Sequence, residues 1–204
     1  MIITPKDYSP NAFYHLMTQT LIPRPIAWIL SQNPNASYNL APFSYFTPIS
    51  ASPPLLLVSV GKKSQLQEKD TRANIVRDQI CVVHIASTGQ VDAVNESSKA
   101  FEFDVSEVDA LNIQLAPWQD FSLPRVKACK VALGCHLHDE FSITDSDQHL
   151  LILKIEQLFI EDDLAQHDEQ GRIFIDADKL DPLARLGGNQ YASLQSPFER
   201  KRPQ

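Results

Sequence analysis

Between Ser59 and Thr71 the chain offers the hydroxyls of Ser59 and Thr71, the lysines Lys62, Lys63 and Lys69, the glycine Gly61 and the acid Asp70. Recognition of a phosphate needs hydrogen-bond donors and positive potential, and a helix N-terminus supplies both through its unpaired amides and its dipole. Gly61 lets the main chain approach a ligand closely. Asp70 or Thr71 suits the N-cap of a helix that continues through Ile75, Val76 and Ile80. The same residues also describe a solvated lysine-rich loop followed by a capped helix. Upstream, Asn39-Leu40-Ala41-Pro42-Phe43-Ser44-Tyr45-Phe46 interleaves small, polar and aromatic residues around a proline, the pattern of an edge or interrupted strand. Free amides on such a strand suit the polar rim of a flat heterocycle, and Tyr45 or Trp28 offers a stacking surface. Core packing with an edge proline is the other reading of this segment.

A second constellation is Cys129, Cys135, His136, His138, Asp139 and His149. On a strand His136 and His138 share a face and invite one metal ion, but the spacing matches no ordinary zinc pattern and Cys135 points the other way. No metal site is therefore expected, and a metal-binding or structural barrel built on the two histidines is the weakest reading. His84 lies in an apolar run and reads as a satisfied core or interface histidine rather than a base. There is no G-x-S-x-G, no G-x-G-x-x-G and no Walker loop, so neither a nucleophile elbow nor a Rossmann-held nicotinamide is indicated.

Strands must hold these groups. Pro23-Arg24-Pro25 fixes an extended approach to an apolar strand over 26–30, Asn33-Pro34-Asn35 signals a turn, and a strand returns over 38–46, giving an antiparallel hairpin. Seven of the fourteen prolines lie between Pro23 and Pro54, so this region has little conformational freedom to lose. Leu55 to Val60 reads as a buried strand ended by Gly61. Further strands are expected over 81–85, 126–137, 148–160 and 173–175, the last of the series. Helical segments are expected within 13–21 (one or two turns), over 88–96, and from Ser106-Glu107-Val108-Asp109. Strands without regular βαβ alternation predict a mainly β fold with peripheral helices, an antiparallel barrel rather than a doubly wound sheet.

At 204 residues the chain suits one domain, 1–204, with its core over about 20–192. A net charge of -7 argues against nucleic-acid binding, which needs clustered cations. Three cysteines, Cys81, Cys129 and Cys135, fit thiols kept reduced. No leader pattern opens the sequence and no apolar run approaches the ~18 residues of a membrane span, so a soluble cytoplasmic protein is expected.

Taken jointly, PRPIAW (Pro23 to Trp28), NLAPFSYF (Asn39 to Phe46), SPPLLLVSVG (Ser52 to Gly61), KDTRANI (Lys69 to Ile75), VNESS (Val94 to Ser98), SEVDALNI (Ser106 to Ile113), PRV (Pro124 to Val126) and RLGGNQY (Arg185 to Tyr191) resemble the flavin reductase-like family, which includes flavoredoxins and the reductase components of two-component monooxygenases. The resemblance implies an antiparallel Greek-key FMN-binding split β-barrel, usually a homodimer with noncovalent FMN near the subunit interface. It further implies NAD(P)H as electron donor, an acceptor such as a monooxygenase, and no catalytic side chain. A flavin-bound electron carrier without nicotinamide activity is the alternative. The implied cofactor-binding residues are Asn39, Leu40, Ala41, Pro42, Ser44 and Tyr45 along the ring, and Ser59, Val60 and Gly61 toward the ribityl chain and phosphate. Lys69, Asp70 and Thr71 would stand at the phosphate, with Arg185 and Tyr191 as a further wall. Three positions depart from the family pattern: Ala36-Ser37-Tyr38 lacks the usual turn glycine, His84 replaces asparagine, and Gly134 replaces glutamate.

Overall fold

A computed structural model describes residues 1–64, 66–200 and 203. In chain order the elements are α1 (Pro10–Thr20), β1 (Ala27–Gln32), β2 (Tyr38–Phe43), β3 (Phe46–Ala51), β4 (Pro54–Gly61), α2 (Asp70–Asp78), β5 (Ile80–Ile85), α3 (Val91–Glu96) and α4 (Glu107–Ala110). They continue as β6 (Leu115–Ala116), β7 (Arg125–Val126), β8 (Val131–Ser142), β9 (Gln148–Ile160), β10 (Ala165–His167), β11 (Ile173–Ile175), α5 (Ala177–Leu180), β12 (Ala184–Arg185) and β13 (Tyr191–Ala192). Seven strands form one sheet in the order β2-β1-β5-β8-β9-β4-β3, and every pairing in it is antiparallel.

The two edge strands, β2 and β3, are consecutive in the chain, so the sheet curls until its edges approach. Tyr45 O, in the link between them, accepts the Ser59 amide of β4 at 2.9 Å, yet among the described residues no ladder joins β2 to β3. The result is the expected mainly β architecture, an antiparallel split barrel with peripheral helices. Alternation along β1 sends Ala27 and Ile29 to one core, with Val58, Val60, Val83, Leu151 and Leu153 from the surrounding strands. Trp28 and Leu30 go to a second core, with Leu40, Val94 and Val108, which α3 and α4 cover. Covering both faces explains why the strand reads as an unbroken apolar run.

Several expectations are corrected. The strand expected over 38–46 breaks after Phe43, because the chain must leave one sheet edge for the other. The strand expected over 126–137 begins at Val131 and runs to Ser142, after the two-residue β7. In place of one or two turns, α1 has eleven residues, started by Pro10 and by Ser9, whose hydroxyl accepts the Ala12 amide. Two further short strands follow Ile173–Ile175. A register shift between Leu137 and Asp139 disturbs the alternation that would have aligned His136 with His138. Among the described residues no three His, Cys, Asp or Glu side chains converge to hold a metal ion. Nor is any described helix long and apolar enough to cross a membrane.

The departures have local causes. Ala36 adopts a left-handed φ of 67° in the β1–β2 turn, where a glycine would be unstrained. A Cβ at Gly134 would stand 2.7 Å from the Phe121 ring, which lies over that position. His84 is fully buried and joins three strands: its Nδ1–H donates to Trp28 O (2.9 Å) and its Nε2 accepts the Val126 amide (2.9 Å). This arrangement needs the neutral ring, and burial pushes its pKa down to about 4.

Candidate functional site

A cavity of about 260 Å³ opens where β2, the N-terminus of α2 and the segment after α3 meet. Asn39, Ala41 and Pro42 come from β2. Lys62, Lys63, Lys69, Asp70 and Thr71 come from the loop and first turn of α2, and Ser97 to Phe101 with Glu107 close the far side. The elements converge because a buried polar network fixes α2 to the hairpin. Asn39 Nδ2 donates to Thr71 Oγ1 at 2.9 Å, and Asn74 Nδ2 donates to Ser31 Oγ (3.2 Å) and Asn33 Oδ1 (2.8 Å). Thr71, expected as an N-cap candidate beside the phosphate, is a buried pin.

The start of α2 differs from the expected cap. Lys69 is the N-cap residue and its side chain makes no capping bond, while Asp70 and Thr71 lie inside the first turn. First-turn amides have no intrahelical acceptor, so this end of the helix presents donors and positive potential. Asp70 is buried with Oδ1 unpartnered, and burial raises its pKa. Lys69 has no carboxylate partner among the described residues, and its ammonium sits 5.4 Å from the Phe43 ring centroid. Burial and then the neighbouring Lys63 hold its pKa below the usual lysine value. Lys63 in turn donates to Phe101 O across the cavity.

The β2 edge also departs from expectation. Its outward Leu40 amide is not free: it donates to Glu107 Oε2 at 2.9 Å, and Ser106 Oγ donates to Tyr38 O at 2.7 Å. The next outward position on an alternating ladder is Pro42, which has no N–H. Glu107 is buried, at 4% exposure, and desolvation raises its pKa. Sequence reasoning missed Glu107, as it did the Ser97–Phe101 wall, although Glu107, Ser97 and Ser98 fall in blocks that carried the family resemblance.

Of the expected cofactor-binding residues, Asn39, Ala41, Pro42, Lys69, Asp70 and Thr71 line this cavity. Leu40 is buried behind it in the core. Ser44 and Tyr45 instead line a small apolar pocket beneath α1, where the Tyr45 hydroxyl is buried without a partner and burial raises its pKa. Ser59 Oγ donates to Gln148 Oε1 at 3.0 Å, Val60 is buried, and Gly61 lies against the Gln148 amide, so these three serve the β4–β9 pairing. Arg185 stacks on Tyr191 at 4.5 Å in the β12–β13 pair, and Tyr191 Oη donates to Asn95 Oδ1 of α3 at 3.2 Å. They reach the cavity wall only through α3.

The wall itself depends on one buried bond. Trp28 Nε1 donates to Ser97 Oγ at 2.9 Å, and that hydroxyl donates to Val94 O. Ser97→Ala leaves the indole N–H unpaired, with an expected loss of about 1–3 kcal/mol of stability in a urea titration.

The donor set fits a phosphate monoester. An uncapped helix end and an unpaired, partly desolvated lysine both favour the approach of an anion. Burial raises the pKa of both acids that face the cavity, Asp70 and Glu107.

The chain matches the flavin reductase like domain model over residues 18–177. A Bacillus subtilis protein, YwrF, is 32% identical over 194 residues, covering 93% of each chain. Among solved structures, nitrilotriacetate monooxygenase component B from Bacillus cereus superposes with a TM-score of 0.88 at 32% identity, covering 98% of each chain. The 2-nitrobenzoate 2-nitroreductase NbaA of Pseudomonas fluorescens superposes with a TM-score of 0.85 at 25% identity, covering 100% of this chain and 96% of the other. With its split barrel and anion-favouring cavity, the chain belongs to the flavin reductase like family.

Proposed function

We propose that the protein is an NAD(P)H-dependent FMN oxidoreductase whose phosphate anchor is the start of α2. The observation that carries this reading is Lys69: a half-buried cation with no acid partner among the described residues, repelled by Lys63, at an uncapped helix N-terminus. Bound FMN would supply the redox chemistry, taking a hydride from NAD(P)H and passing electrons onward. The chain's own residues bind and orient. Lys69 and the first-turn amides hold the phosphate, Thr71 and Asn39 fix the helix that carries those amides, and Ala41 and Pro42 flank the cofactor along β2. Ser44 and Tyr45 beneath α1, Ser59 to Gly61 in the β4–β9 pairing, and Arg185 with Tyr191 behind α3 lie outside the cavity lining. No acid, base or nucleophile is required of the protein.

The same reading takes the protein as a homodimer, which the size of the cavity supports. Pockets that enclose a ligand usually measure ~300–1,000 Å³, and one subunit offers about 260 Å³ here, so a second copy would complete the enclosure of the ring. The likeness to a monooxygenase component supports a monooxygenase as one acceptor of the electrons.

The purified protein with FMN, mixed anaerobically with NADH or NADPH, is expected to lose its flavin absorption within the mixing-to-turnover time. A flavin that stays oxidised with both donors would instead make the protein an electron carrier. A colourless preparation that takes up no FMN would overturn the proposal entirely.

A further inference from the structure

Beneath the cofactor loop lies a cluster of charges that the proposed phosphate anchor does not use. Glu68 immediately precedes Lys69, and Arg72 lies one turn into α2. Glu140 and Ser142 stand on β8, and His149 stands on β9 opposite Val60 of β4. Arg72 binds both carboxylates: its Nη1 is 3.2 Å from Glu68 Oε2, and its Nη2 is 2.5 Å from Glu140 Oε1. Lys62 is the only other cation recorded near Glu68 among the described residues, at 4.0 Å.

Two buried atoms in this cluster lack a hydrogen bond among the described residues: Glu68 Oε2, whose close partner is the Arg72 ion pair at 3.2 Å, and His149 Nε2. They face each other at 3.6 Å. The other ring nitrogen, Nδ1, lies 3.1 Å from Ser142 Oγ and 3.6 Å from Glu140 Oε1. Two carboxylates thus share one close guanidinium, and a protonated imidazole is the group that would balance them. Protonation also turns Nε2 into a donor aimed at Glu68 Oε2.

We propose that His149 is a positioning residue for the cofactor loop: its protonated ring grips Glu68 and thereby holds the peptide leading into Lys69 and Asp70. The proposal rests on the flavin reading above for its ligand, but its mechanical part concerns the apo protein. Protonation of the ring stiffens the start of α2, and loss of that proton frees Glu68 and the residues after it. By linkage, a cofactor that binds better to the held loop draws a proton onto His149.

The test has two arms over about pH 5.5 to about pH 8.5, which spans the ordinary histidine range. In the first, amide NMR of the apo protein follows Lys69 and Asp70 while the His149 ring titrates. The expected result is a common midpoint in the wild type and loss of the amide response in Glu68→Gln, with the ring still titrating. Amides indifferent to the ring, or an unchanged response in Glu68→Gln, would overturn the proposal.

In the second arm, FMN affinity is measured by fluorescence quenching for wild type and His149→Gln, without nicotinamide. Because the phosphate itself titrates near roughly pH 6, the ratio of the two affinities is the quantity read. It is expected to favour the wild type by roughly 3–10-fold at the acid end and to approach one at the alkaline end. A ratio that does not change with pH would overturn the proposal. Absence of FMN binding at every pH would sink the flavin reading, while the apo titration still decides the role of His149.

Discussion

Lys69→Ala should weaken FMN binding by roughly 10–100-fold, the effect of removing one charge-assisted contact to a phosphate, while leaving the unfolding midpoint within a small margin of wild type. The asymmetry follows from the site. Lys69 gives no capping bond to α2 and meets no acid among the described residues. Burial and Lys63 make its charge unfavourable before any ligand arrives, so its removal takes away little that the empty fold depends on. Thr71→Ala should behave in the opposite way, because Thr71 Oγ1 accepts the buried Asn39 amide. Its loss leaves Asn39 Nδ2 with only the 3.3 Å bond to Ser31 Oγ, one N–H unpaired, and should lower stability by about 1–3 kcal/mol. Titration of FMN fluorescence beside urea unfolding separates the two variants. An unchanged affinity in Lys69→Ala would remove the phosphate from the start of α2.

Acidification should destabilise the fold through His84. Its neutral ring, donor to Trp28 O and acceptor from Val126 N, is the form the barrel holds. The folded pKa of about 4 lies below the ordinary 6.5, so the unfolded chain binds the extra proton first as pH falls. The stabilisation is therefore complete above about pH 6.5 and is lost progressively as pH drops toward about 4. The full loss corresponds to roughly 3 kcal/mol. Urea unfolding at a series of pH values should show a wild-type slope across this window that is absent in His84→Asn, whose amide can also donate and accept. Identical slopes in the two proteins would assign the acid sensitivity to other groups.

The legible parts of this molecule are those set by local pattern. The strand over Gln148–Ile160 follows from alternation and stands where the sequence places it; the helix at Asp70 follows from helical spacing but ends at Asp78, so that Ile80, expected on the helix, opens β5 instead. The break at Ser44–Tyr45 is not legible, because strand-forming residues lie on either side and only the closure of the sheet requires the chain to change edges. Ser59 to Gly61 suggested a ligand turn from composition alone. The long-range partner Gln148 determines what those residues touch. Glu107 is the clearest case: an acid after a capping serine is ordinarily solvated, and its burial depends on the Leu40 amide 67 residues away. Short-range chemistry points to the α2 end of the cavity, whereas the opposite wall depends on contacts that no local spacing encodes.

The sealed margin of β2 bears on how this protein avoids sticking to itself. An open sheet margin invites another chain to add a strand, the route to fibres and exchanged segments. Here one margin has its outward amide capped by Glu107 and its next position filled by Pro42, while the other carries Pro48 and a register shift between Pro48 and Ser50. Neither margin offers a regular template, so copies of this chain are steered toward meeting side chain to side chain rather than growing a common sheet.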